Sequence, residues 1–325
     1  MRYRWLMSLS TVAASMAVAS LSVVPVSAQT SFRTPWGDPD LQGTWTNTTT
    51  TPMERPEELA GRELLTDEER AELDAEAVRN ADRPPRPGST GAYNTFWFER
   101  GVRTNQTSWI VDPPDGRLPP ITPKEQKRMA AFVAVRDAPL YPTTWEDVNI
   151  YERCITRGMP GTMMPGFYNH NYLILQTPDY VVLLAEMVHD TRIIPLDGRS
   201  HVDPSIRQWL GDSRGHWEGD TLVVETTNLT DKVFERRTTV YGTGEYMYLE
   251  ERFTRVDSDA IDYQFTVTDP TTFEEPWTAA TPMTALDGPI FEYACHEGNY
   301  ALVNMLSGAR AKEKEAEAAT KPSGD

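Results

Sequence analysis

Residues 168–196 of this 325-residue chain read YNHNYLILQTPDYVVLLAEMVHDTRIIPL, and from here onward the hydropathy pattern has a period of two. That period places alternate side chains on opposite faces of a strand. Three strands are predicted, Tyr168–Gln176, Tyr180–His189 and Thr191–Leu196, with Thr177-Pro178-Asp179 turning the chain between the first two. Downstream, His216-Trp217 and Thr221–Asn228 flank Glu218-Gly219-Asp220, a tight hairpin loop. Tyr246–Arg255, Ile261–Thr268, Trp277–Met283 and Ile290–Ala294 continue the series, with turns at Asp257 to Ala260 and at Asp269-Pro270. Strands succeeding one another without interleaved helices predict an antiparallel meander, closed as a barrel or sandwich.

Upstream the signals are helical. Thr66 caps a helix over 67–79, and Glu69 completes a capping box. Thr122-Pro123-Lys124-Glu125 repeats the device, and Met129, Phe132 and Val133 give an apolar stripe through about 136. A short helix is expected over 145–152, capped by Thr144. Residues 82–90 read as a linker, Tyr93 to Trp97 as an aromatic cluster, and Val111 to Pro120 as a rigid proline-rich loop. Gly43-Thr44-Trp45 is a G-x-W triplet at the first strand; in lipocalin-like barrels such a Trp closes the barrel base. Residues 299 to 316 read as a terminal helix. The expected organisation is a signal peptide (1–28), then an extension with the first barrel strand and capping helices (29–164). A barrel body (165–298) and a C-terminal helix with a frayed tail (299–325) complete it.

Arg2 and Arg4 precede an uncharged apolar stretch over 6–24, and Val26-Ser27-Ala28 offers a cleavage site before Gln29. The serines and threonine in that stretch favour a cleaved signal peptide over a permanent anchor, so a periplasmic or secreted protein is expected. Without residues 1–28 the chain carries 29 basic and 48 acidic side chains, a net −19. Such a surface repels nucleic acid and anionic lipid, so neither is expected as a partner. Nine Trp supply ample material for a core. Cys154 and Cys295 are the two cysteines, and in an exported chain a disulfide is expected. Two buried thiols, or thiol chemistry at Cys295-His296-Glu297, are the alternatives.

All five histidines lie at 170 or beyond. His170 shares parity with Tyr172, Ile174 and Gln176. His189 shares the apolar parity of Val181, Leu183, Ala185 and Met187, so both are expected to point inward. Tyr168-Asn169-His170-Asn171-Tyr172 is dense in hydrogen-bonding groups that need a network or a wet cavity. Glu186, Asp190 and Arg192 stand nearby; Asp212, Arg214 and Glu225 follow, and Glu225 needs a partner if buried. A His beside a carboxylate moves protons near neutral pH. The expected catalytic set is therefore His170, His189, Arg192, His216 and Tyr168, with Arg192 polarising the substrate. Asp190 could orient an imidazole, though its parity is opposite. Tyr151, Asn169, Asn171, Tyr172, Met164 and Arg214 are the expected substrate contacts. The methionine-rich run Met159–Phe167 reads as a lid or as a loop pinned to the core. No nucleotide, nucleophile-elbow or zinc-protease motif occurs, so no cofactor and no metal are expected. A His₃ metal site on His170, His189 and His216 is kept as an alternative.

Four long runs, Glu152 to Gly158 (ERCITRG), Pro165 to Tyr172 (PGFYNHNY), Gly211 to Leu222 (GDSRGHWEGDTL) and Ala294 to Tyr300 (ACHEGNY), resemble an uncharacterised family of exported bacterial proteins. Glu186 to Asp190 with Arg192 supports the likeness. The resemblance implies a lipocalin-like barrel and no particular activity. The expectation is thus a mostly β, lipocalin-like barrel with N-terminal helical elaboration and a C-terminal helix. Its cavity would hold a small hydrophobic, aromatic or terpenoid molecule, and the site would act as a cofactor-independent lyase or isomerase by general acid–base catalysis. The alternatives are a non-catalytic periplasmic binding protein and a metal-dependent hydrolase or oxygenase.

Overall fold

A computed structural model describes residues 32–80, 98–138, 141–232 and 244–320. The expected signal peptide, the 82–90 linker and the Tyr93–Trp97 cluster lie outside the described residues. The described chain is mostly β: strands β1 (Gly43–Thr46), β2 (Ile110–Asp112), β3 (Asn171–Gln176), β4 (Tyr180–Ala185), β5 (Thr191–Pro195), β6 (Asp212–Glu218), β7 (Thr221–Thr227), β8 (Tyr248–Asp257), β9 (Ala260–Thr268), β10 (Trp277–Ala280) and β11 (Met283–Ala285). Helices α1 (Asp67–Asn80), α2 (Pro123–Arg136) and α3 (Ala301–Thr320) accompany them.

Nine strands form a nearly closed antiparallel barrel in the order β5-β4-β3-β1-β11-β9-β8-β7-β6, while β10 pairs with β9 and β2 beside it. Sequential hairpins build most of it, as the alternating pattern requires; Gly219, at φ +62°, sits in the two-residue loop joining β6 to β7. β5 and β6 face each other as the seam, joined by side chains instead of a ladder. A Cβ on Gly215 would stand only 2.8 Å from Leu196 and 2.9 Å from Ile194, so glycine lets the two strands approach.

The interior is lined and filled by large apolar side chains. Trp45, Tyr172, Phe253, Tyr263, Phe265 and Trp277 are all less than 2 % exposed, filling the volume expected to be a ligand cavity. Trp45, from the G-x-W triplet, donates from Nε1 to the Leu41 carbonyl at 2.9 Å. Phe253 stacks on Tyr263 with centroids 4.6 Å apart, and Trp277 meets Phe265 edge to face. Met159, Met163 and Met164 are buried in this core, so the Met-rich run is a pinned loop and not a lid.

The helices follow their start signals. Thr66 and Glu69 make the reciprocal capping-box bonds, and Thr122 accepts from the Glu125 amide. The short helix expected over 145–152 is a single turn, Trp145–Asp147, with its capping box intact. Ile290–Ala294 forms no strand but an irregular strap, Val111 belongs to β2, and the predicted Trp277–Met283 strand is broken into β10 and β11. No helix among the described residues is long and apolar enough to cross a membrane.

Candidate functional site

At one end of the barrel the approach to β3, the β4–β5 turn and the strap over 290–297 converge. The Cys154–Cys295 disulfide joins the first to the last, with Cα atoms 5.7 Å apart. Four non-glycine residues here hold left-handed backbone: Cys154 (φ 57°), Asn169 (56°), Val188 (59°) and His189 (47°). For β-branched Val188 this is a costly geometry, and such strain, of order 1–3 kcal/mol per residue, persists only where surroundings enforce it.

The turn explains the fate of His189. β4 ends at Ala185 and the left-handed pair Val188-His189 reverses the chain, so parity no longer applies. Val188 is buried and His189 is exposed, contrary to its expected inward position. Its Nδ1 lies 3.3 Å from the Tyr293 carbonyl.

His170 is inward and buried, as its parity predicts, but it is occupied. Arg157 Nη1 lies 2.8 Å from Nε2 and 3.1 Å from Nδ1, and the ring also bonds to the Met164 backbone. Burial, and then the Arg157 charge, hold its pKa well below the ordinary imidazole range. Its ring is engaged by Arg157 and is buried away from the rim cleft. Nearby, Asp190 Oδ2 accepts from Thr156 Oγ1 at 2.8 Å and Thr162 Oγ1 at 3.1 Å, and burial raises its pKa. Its hydrogen bonds go to loop 156–162, and among the described residues none reaches an imidazole, although the neighbouring His189 lies within electrostatic reach. Tyr172 hydroxyl reaches Asn47 Oδ1 and the Thr162 carbonyl, both at 3.3 Å.

Two carboxylates meet at the rim. Glu186, 2 % exposed, accepts from Asn169 Nδ2 at 2.6 Å and Asn171 Nδ2 at 2.9 Å. Glu99 accepts from the Asn169 amide at 3.1 Å and from the same Asn171 amide group at 3.3 Å. Desolvation, and then the Glu186 charge, raise the Glu99 pKa. The two asparagines are thus carboxylate clamps.

Glu186 also lines a cleft of about 550 Å³, whose walls include Leu184, His189, Ile290, Phe291, Tyr293 and His296. Tyr151 and Tyr293 bond to each other beside it, the Tyr151 hydroxyl also donating to Met187 Sδ at 3.2 Å; burial first and Tyr293 second push the Tyr151 pKa up. Tyr168 is half-buried beside Tyr151.

The remaining expected residues lie elsewhere. Arg192 points into the barrel and pairs with Glu251, so it is unavailable to a rim substrate. His216 is exposed on the outer face of β6, 3.4 Å from Glu218, because Ser213 and Gly215 take the inward parity. His170, His189 and His216 therefore do not come together. Arg214 binds Asp212 at 2.7 Å, and Glu225 has its partner in the Tyr248 hydroxyl. Sequence reasoning missed Glu99 and His201, which reach their partners through irregular loops that carry no periodicity. His201 Nδ1 lies 2.9 Å from Asp212 Oδ2. Sequence reasoning weighed His296 only beside Cys295 as part of a thiol site and gave it no acid–base role.

Fold and site together define a β-barrel with an apolar core and a disulfide-pinned polar rim. Compared with protein-family models, curated proteins and solved structures, the chain finds no match.

Proposed function

We propose that the chain is an exported lyase or isomerase that moves a proton on a small hydrophobic or aromatic molecule in the rim cleft, without a cofactor. One observation carries the reading: His189 and His296 line the same cleft as the buried Glu186 carboxylate. With Nδ1–H donating to the Tyr293 carbonyl, His189 keeps its Nε2 lone pair as a base. It takes a proton from carbon, and His296 in its protonated form returns one at a second position. Glu186 favours the imidazolium that forms. Leu184, Ile290 and Phe291 supply the apolar wall. The reading of residues 1–28 as a signal peptide supports export, in agreement with a disulfide that persists in oxidising compartments.

Deuterium uptake tests this without knowledge of the product. Small enolisable aromatic ketones are incubated with the protein in D₂O and followed by proton NMR. Exchange at carbon, falling about 10²-fold or more in His189→Gln, is the expected result. Absence of exchange from every compound overturns it. The apolar wall, with Phe291 71 % exposed, supports a second reading as a binding protein. Binding of those compounds with no exchange selects that reading.

A further inference from the structure

A second centre lies on the loop preceding β6. Asp212, whose side chain is 8 % exposed, accepts from His201 Nδ1 at 2.9 Å and from the Val202 amide at 3.1 Å on one oxygen. Its other oxygen accepts from Arg214 at 2.7 Å. A carboxylate so loaded with donors is an acceptor, which fixes the proton of His201 on Nδ1. Nε2 then carries the lone pair, and it has no hydrogen-bond partner among the described residues. Asn228, held at φ 59°, donates from Nδ2 to the carbonyls of Val202, Asp203 and Ile206 and fastens the loop. His201 lines a cleft of about 480 Å³ with Val202, Arg207, Tyr246, Met247 and Tyr248. This cleft shares no residue with the rim cleft.

We propose that His201 and Asp212 form a catalytic dyad that hydrolyses small neutral aryl esters in this cleft. Nε2 accepts a proton from a water molecule as the water oxygen bonds to the ester carbonyl carbon. Asp212 steadies the imidazolium. Arg207, which lines the cleft and donates from Nη1 to the Glu245 carbonyl at 2.7 Å, adds positive charge to the wall that favours the developing oxyanion. Collapse of the tetrahedral intermediate breaks the bond to the aryl oxygen and releases phenolate and carboxylic acid. The Nε2 proton passes to solvent. The leaving group sets the substrate class. Tyr248 already donates to Glu225, so its hydroxyl is not available to a departing oxygen. A phenol departs as a stable anion with little help from an acid. Aryl esters are therefore the most reactive esters for a dyad that has only the His201 imidazolium to protonate the leaving group. The tyrosine rings and Met247 offer the aryl group its surface.

The test uses 4-nitrophenyl acetate with the full chain lacking residues 1–28, beside His201→Gln, Asp212→Asn and His216→Gln. The expected result is hydrolysis above buffer that rises with pH to a plateau and falls at least tenfold in His201→Gln and Asp212→Asn, with His216→Gln unchanged. Replacing part-exposed His201 leaves Asp212 bound to Arg214 and Val202, so that variant decides if Asp212→Asn fails to fold. A wild-type rate equal to buffer, or a His201→Gln rate equal to wild type, overturns the proposal. Deuterium exchange in the rim cleft is read separately and stands or falls on its own.

Discussion

Arg192 and Glu251 form a bidentate ion pair in the barrel interior, with Nη1 3.0 Å from Oε1 and Nη2 2.5 Å from Oε2, and side chains 3 % and 0 % exposed. Ser213 and Thr226 accept from Arg192 Nη2 and the Tyr263 hydroxyl donates to Glu251, so the pair ties seam strand β5 to β8 and to both strands of the β6–β7 hairpin. Arg192 Nε is left without a hydrogen-bond partner among the described residues. Two desolvated charges need each other more than the fold needs them.

Removing one partner should therefore cost far more than removing both. Glu251→Leu leaves a buried guanidinium uncompensated and is expected to destabilise by about 3–5 kcal/mol. Arg192→Met combined with Glu251→Leu should recover most of that loss. Urea unfolding of the disulfide-intact proteins measures both, and an additive double variant would contradict the analysis.

Gly166 is expected to resist any side chain. An added Cβ would stand 1.8 Å from His170 Nε2, and the ring is hemmed in by Arg157 and the Met164 backbone. Gly166→Ala should destabilise by about 1–3 kcal/mol, and His170→Ala in the same chain should relieve the clash. A double-mutant cycle from thermal unfolding reads the coupling.

His170 should also impose a pH dependence. Its folded pKa is depressed by burial and by Arg157, so the unfolded chain takes up a proton near pH 6.5 that the folded chain refuses. Above that pH the group contributes no slope. Below it, stability falls by up to about 1.4 kcal/mol per pH unit. The difference in unfolding free energy between wild type and His170→Gln, measured from pH 8 to 5, should show this slope. Glu99 and Asp190, raised by burial, act in the opposite sense: their ionisation costs stability as pH rises through their folded pKa values.

The disulfide closes a separation of 141 residues. In the chain-entropy model, opening a loop of that size costs about 4–5 kcal/mol. Cys154→Ser with Cys295→Ser should lower the melting temperature by roughly 10 °C, and dithiothreitol should reproduce the effect in wild type only. Scanning calorimetry with and without reductant provides the check.

Most of the barrel was legible in the sequence, because alternation states which side chains a strand must bury. Val181, Leu183 and Ala185, like Tyr172, Ile174 and Gln176, face inward as their parity demands. Parity failed at Val188, a β-branched residue in a conformation its own propensity opposes, imposed by packing that no local pattern encodes. Ile290–Ala294 reads as a strand, yet a disulfide from Cys154 to Cys295 and contact of Tyr293 with Tyr151 accompany an irregular course there. The site was half legible for the same reason. A dense polar run at 168–172 announces a network, but whether a histidine is locked or open depends on Arg157, Tyr293 and other groups contributed from distant loops.

The packed interior has an evolutionary corollary. With Trp45, Trp277 and their neighbours buried in one continuous apolar core, no ligand specificity is written into that core. Residues of the two clefts can be exchanged without opening a void beneath them, so the scaffold can acquire new chemistry at its ends while its folding information stays untouched. Divergence among descendants of this chain should concentrate in the strap and in the loop before β6, while the strand parity stays fixed.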